Sequence, residues 1–245
     1  MEEYQYIILG LIILLSHTTE AMCGFGNIII SLTLGAFILP IQSLLPILVP
    51  LSLVLSTYIV IKYFRFINYS LLLNRIIPIM SIGMVLGYFL TYYISGDIVK
   101  KFFGLLIIIY SVRELYNLKF GINKTQGNMS TIKSISWMFF GGITHGIYAS
   151  GGPLLVYSIS ENKLEKMVFR VTLSSVWLIL NIGLSLIFYQ SGKITGNSLI
   201  LLLQFLPAVP IGIIMGEFIH KKISEYKFKI VIFCILTISG ISFII

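Results

Sequence analysis

Long apolar runs separated by short clusters of charge leave few folds open to this 245-residue chain. Residues 43–61, 74–94, 98–118, 167–189, 198–219 and 228–245 form six such runs. Each approaches or exceeds the ~20 residues a helix needs to cross a hydrocarbon core. The runs are apolar on all sides, whereas barrel strands alternate polar and apolar residues. With 57% hydrophobic and 11% charged residues, the chain cannot furnish the surface of a soluble domain of its length. The expected fold is therefore an all-α polytopic membrane protein.

A net charge of +8 could suggest nucleic acid, but Lys and Arg collect in the loops between apolar runs. That is how membrane proteins orient themselves, so no nucleic-acid partner is expected and the lipid bilayer is. Glu2 and Glu3 place the N-terminus outside. Lys62, Arg65 and Arg75 mark an inside loop. Arg113, Lys119, Lys124 and Lys133 mark another, as do Lys163, Lys166 and Arg170, and then His220 to Lys222 with Lys227 and Lys229. The C-terminus is then also outside. Lys100 and Lys101, beside Asp97 in an outside loop, are the one blemish. The acidic start does not resemble a signal peptide, and Cys23 and Cys234 do not suggest a disulfide framework.

Two regions depart from simple spans. Residues 4–16 form a short apolar piece, followed by His17-Thr-Thr-Glu-Ala-Met-Cys-Gly-Phe-Gly-Asn27 and a second piece, 28–39, ending at Pro40. Later, 135–143 leads into Thr144-His-Gly-Ile-Tyr-Ala-Ser-Gly-Gly-Pro153 and a short piece, 154–159. Each reads as a helix, a glycine-rich break and a second helix, forming a re-entrant-like hairpin with its tip at membrane depth. With three spans after each hairpin, the chain divides into a first repeat (1–118), a cytoplasmic linker (119–132) and a second repeat (133–245) of opposite orientation. Pro78-x4-Gly83-x3-Gly87 matches Pro207-x4-Gly212-x3-Gly216 at the same place in the two halves. Glycines four apart share a helix face and permit close contact, within the chain or in a homodimer. Inverted repeats with interrupted helices are a transporter signature.

The second half-helix of each hairpin begins with unpaired backbone N–H groups and a positive dipole end, which attract anions. The expected substrate contacts are Thr18, Thr19, Cys23, Gly24, Phe25, Gly26 and Asn27 at the first break, and Thr144, Ser150, Gly151, Gly152 and Pro153 at the second. Asn181 is polar within a span and faces a cavity on this reading; Gln204 either does the same or bonds freed backbone. Trp177 either shares that face or simply packs. No Lys or Arg stands at a span's centre, which favours backbone and hydroxyl donors over a fixed cation. His17, Glu20 and His145 either couple transport to protons or hydrogen-bond freed carbonyls. Arg113, Glu114 and Glu217 read as interfacial. No metal cluster, Walker motif or catalytic triad is present, so neither a cofactor nor an enzyme activity is expected.

Cys23-Gly-Phe-Gly26, Gly141-Gly and Ser150-Gly-Gly-Pro153, with the duplicated layout around a polar central loop, resemble the TauE/SafE family of sulfite and organosulfonate exporters. The resemblance covers essentially the whole chain. Asn27 departs from it, standing where another glycine is often found. The resemblance implies a secondary transporter moving sulfite, sulfonates or related sulfur-containing anions across the cytoplasmic membrane. Alternating access around a midplane site is expected, with protons as the coupling ion. The alternatives are an anion channel and a permease for another small organic anion. His145→Ala is expected to lower transport more than Ser198→Ala, a change near a span end.

Overall fold

The computed structural model describes residues 2–93, 96–120, 131–159 and 164–244. Its regular elements are helices throughout, and the described residues contain no strand. In order they are α1 (Glu3–Cys23), α2 (Asn27–Gly35), α3 (Ile41–Tyr63), α4 (Tyr69–Leu71), α5 (Ile77–Leu90), α6 (Gly96–Phe120), α7 (Thr131–Tyr148), α8 (Gly152–Ile159), α9 (Lys166–Gln190), α10 (Gly196–Phe205), α11 (Ala208–Lys222) and α12 (Glu225–Ile244). A π-helical turn, Leu72–Ile76, joins α4 to α5.

Four stretches are long and apolar enough to cross a bilayer: Glu3–Cys23, Ile41–Phe66, Tyr69–Leu90 and Lys166–Gln190. The pair Gly196–Phe205 and Ala208–Lys222, bent by 42°, makes a fifth if it is taken as one span. Large apolar side chains such as Ile7, Leu11, Ile82, Phe89, Leu203 and Ile214 point outward. Water would penalise that surface and lipid does not. The protein is an α-helical membrane protein.

Two features differ from the expected layout. The first apolar piece is not short: α1 runs on through His17, Thr18, Thr19 and Glu20, so the break shrinks to Gly24, Phe25 and Gly26. At 1.5 Å per residue α1 is roughly 30 Å long, a full crossing. The polar residues bond their own helix, which is why they do not interrupt it: the Thr18 and Thr19 hydroxyls donate to the Leu14 and Leu15 carbonyls. Likewise α7 extends to Tyr148, leaving Ala149, Ser150 and Gly151 as the second break. Secondly, 198–219 is not one continuous helix, because α10 ends just before Pro207 and α11 starts after it, as a proline that lacks an N–H favours. The central linker falls largely on residues 121–130, outside those described.

The described chain forms two compact units. The first comprises residues 1–77 and 167–222, the second 78–166 and 223–245. In the first unit α1 packs along α11. A Cβ at Gly212 would lie 2.9 Å from the His17 Cβ, and one at Gly216 would lie 2.5 Å from both the Ala21 Cβ and the Thr18 carbonyl oxygen. The core of α3 is a stripe of Leu44, Leu48, Leu51, Leu55 and Ile59, all fully buried at helical spacing. In the second unit α7 folds back on α8, and α6 lies along α12. Here α5 presses its own glycines on α7, so a Cβ at Gly83 would meet the Phe139 carbonyl and one at Gly87 the Ile143 backbone. Both Pro-x4-Gly-x3-Gly segments therefore do the same job, each seating its helix against the long arm of a hairpin. Their glycine faces are occupied within the chain.

Candidate functional site

The first break is shaped by two left-handed glycines. Gly24 has φ 84° and Gly26 φ 110°, a region only glycine enters without cost. A Cβ at Gly24 would also lie 2.6 Å from the Arg170 carbonyl oxygen, so α9 and the break touch backbone to backbone. The Trp177 indole, two turns further along α9, donates to the Gly24 carbonyl oxygen at 2.8 Å. Trp177 thus pairs a backbone group that the break leaves outside the helix ladder.

Beside this break the first unit buries a connected polar network. Asn27, fully buried at the start of α2, is its centre. Its Oδ1 accepts from the Ser16 hydroxyl at 3.1 Å, and its amide nitrogen lies 3.2 Å from His17 Nε2. The other imidazole nitrogen, Nδ1, sits 2.8 Å from the Ile13 carbonyl oxygen and donates to it; Nε2 is then the acceptor for the Asn27 amide. Ser31 donates to Ser16 at 2.7 Å. Glu20 accepts from Ser56 of α3 at 3.3 Å and faces the Asn27 backbone N–H and side chain. The helix end expected to draw a substrate anion therefore already faces the chain's own carboxyl group. One turn along α3 from Ser56, the Ser52 hydroxyl accepts from Asn181 at 2.8 Å, while Asn181 Oδ1 has no partner among the described residues. Asn181 is buried among helices; Gln204 is exposed and takes no part.

A second, charged cluster lies on the same unit. Glu217 of α11 is buried within the protein. Its Oε2 receives Lys62 at 2.7 Å and Tyr58 at 3.2 Å, and its Oε1 receives Tyr63 at 2.8 Å. Arg170, one turn into α9, is 1% exposed and reaches the same Oε1 only at 3.7 Å. His220, a turn beyond Glu217, holds the Met22 carbonyl through Nδ1 at 2.7 Å. The sequence, with no Lys or Arg at a span's centre, favours backbone and hydroxyl donors; the structure adds a buried cation, Arg170, on the helix that touches the first break. Its place among loop lysines in the sequence concealed it: its burial comes from the packing of α9, with its backbone against the break and its guanidinium near Tyr63 and Glu217.

The second break is less polar. Thr144 donates to the Gly141 carbonyl at 3.0 Å, His145 is fully buried in α7, and the buried Ser150 hydroxyl has no partner among the described residues. Gly141 and Gly142 face opposite ways: a Cβ on the first would crowd Gly151 and Leu154 of the hairpin, and one on the second would strike Met80 of α5. Gly152 and Pro153 open α8, where proline's missing N–H costs no hydrogen bond. Both cysteines are free, Cys23 buried beside the first break and Cys234 exposed. Among the described residues no group of His, Cys, Asp and Glu could hold a metal ion.

Comparison with curated proteins and with solved structures found no significant match in either case. A family model does match, that of the sulfite exporter TauE/SafE, over residues 9–243. That span takes in both breaks, both glycine-packed helices and the charged cluster, and with it the chain belongs to the TauE/SafE sulfite exporter family.

Proposed function

We propose that this protein is a secondary transporter that exports small sulfur-containing anions, sulfite or organosulfonates, across the cytoplasmic membrane. The observation that carries this reading is the polar network of Ser16, His17, Glu20, Asn27, Ser31 and Ser56, buried beside a broken helix in an otherwise apolar chain. Ionisable groups at membrane depth are expensive, and they persist where a solute or proton passes. Membership of an exporter family supplies the substrate class.

The transport cycle on this reading is alternating access by two halves of inverted topology, residues 1–118 and 133–245. Supporting this, the glycine-bearing helix of each half packs on the long hairpin arm of the other: α11 on α1, and α5 on α7. The termini lie outside. The end of the first unit bearing Lys62, Arg65 and His220 to Lys222 then faces the cytoplasm, in keeping with loop charge. Proton coupling runs through His17, Glu20 or His145. Within the first unit, substrate contacts extend to Asn181, whose Oδ1 is unpaired among the described residues.

Reconstitution of the purified protein in vesicles tests the reading. Sulfite loaded inside should leave at a rate that saturates with concentration and responds to an imposed pH gradient. Conductance that rises without saturation would make the protein an anion channel. No movement of sulfite, sulfoacetate or thiosulfate would overturn the substrate class.

A further inference from the structure

The cluster around Glu217 is unevenly shared. Lys62, Tyr58 and Tyr63 take both carboxylate oxygens at hydrogen-bond distance. The Arg170 guanidinium is left with an ion pair at 3.7 Å, too long for a hydrogen bond. Its Nε and Nη2 have no hydrogen-bond partner among the described residues, although the side chain is 1% exposed. Nearby lie the Met167 sulfur, 4.0 Å from Nη1, the Tyr63 ring, centred 5.4 Å from the guanidinium carbon, and the Tyr63 hydroxyl and Cys23.

A buried cation with unmet donors is costly, and a native chain that keeps one has a use for it. Nε and Nη2 form one edge of the guanidinium, the edge that grips two oxygens of a carboxylate, phosphate or sulfur oxyanion at once. The balance of charge agrees. Lys62, Arg170 and Glu217 sum to one net positive charge, which a monoanion neutralises. Exposure is graded as well: the Lys62 side chain is 41% exposed, that of Glu217 10% and that of Arg170 1%. An anion arriving from the Lys62 side meets a cation near solvent first and the unsatisfied fork behind it.

We infer that Arg170 is the anion-recognising cation of this transporter, gripping two substrate oxygens through Nε and Nη2, with Glu217 as the counter-charge the substrate displaces. The inference deepens the transport reading and rests on it. Because α9 also touches the break at Gly24, an anion drawn onto Arg170 acts on the helix that holds the first hairpin's turn.

The test is a sulfite titration of the full-length purified protein, read as the thermal-unfolding midpoint, with chloride at equal ionic strength as control. Wild type should be stabilised by sulfite and not by chloride. Arg170→Lys keeps the charge and loses the fork, and it should raise the half-saturating sulfite concentration at least tenfold. Glu217→Gln weakens the competitor and should lower that concentration. Arg170→Lys protein that is folded and keeps the wild-type concentration dependence overturns the inference alone. If Arg170→Lys does not fold, Glu217→Gln decides, and an unchanged half-saturation overturns it. A wild type that neither binds nor moves sulfite overturns the transport reading and this inference together.

Discussion

The Trp177 indole nitrogen and the Gly24 carbonyl oxygen, 153 residues apart in the chain, form a 2.8 Å hydrogen bond that ties α9 to the turn of the first hairpin. Trp177→Phe keeps most of the ring's packing and removes the donor. A buried carbonyl left unpaired costs about 1–3 kcal/mol. At this chain length that lowers the melting temperature by about 2–4 °C per kcal/mol. Thermal unfolding of the purified variant checks this, and a melting temperature equal to wild type would show that the bond contributes nothing.

Gly24 and Gly192 both adopt positive φ, 84° and 70°, but only Gly24 is enclosed. A Cβ at Gly24 would press on the Arg170 backbone, and one at Gly192 meets nothing within 4 Å. Gly192→Ala should cost only the left-handed penalty, about 1–2 kcal/mol. Gly24→Ala adds overpacking of about 1–3 kcal/mol to that penalty. Side-by-side melting curves measure the difference, and equal losses would mean that the contact between α9 and the break is looser than described.

Gly216 and Gly87 hold equivalent places, one against α1 and the other against α7. Gly216→Ala and Gly87→Ala should each destabilise by about 1–3 kcal/mol through forced separation of packed helices. Gly196, with open space around its Cβ position, is the control. Detergent-resistance assays on the three variants would reveal whether the two faces are matched in energy as well as in geometry.

Asn27 pairs with Ser16 and His17, and Asn27→Ala withdraws a partner from both. The expected loss is about 1–3 kcal/mol of stability, together with slower sulfite efflux from vesicles. Sulfite efflux at the wild-type rate would remove this network from the transport path.

His145→Ala should slow efflux more than a serine change distant from the breaks. Ser198 is a poor control for this, because its backbone N–H donates to the Thr195 hydroxyl at 3.2 Å and its own hydroxyl receives the Thr195 N–H at 2.8 Å, capping α10. Losing that cap costs about 0.5–2 kcal/mol. Ser136, an exposed residue that bonds only the Ile132 carbonyl one turn back, is the better reference. Equal efflux in His145→Ala and Ser136→Ala would take the histidine out of the mechanism.

The apolar runs, the two glycine breaks and the paired Pro-x4-Gly-x3-Gly segments were legible in the sequence, because each is a local property of composition and spacing. Apolar length alone predicts that residues 43–61 and 167–189 are membrane helices, and α3 and α9 cover them. The extents of the breaks were overestimated for an equally local reason. Thr18 and Thr19 look like helix interrupters by polarity, yet their hydroxyls bond back into their own helix. The centre and the charges of the site belong to tertiary structure. Asn27 is the hub of the network. It becomes a hub only because α2 folds back against α1, bringing Ser16 and His17 to its amide. Arg170 and Glu217 read as loop-end charges along the chain. Whether such a charge is solvated or buried depends on which helix lies over it, and here Tyr63 of α3 lies against both, with Tyr58 also on Glu217.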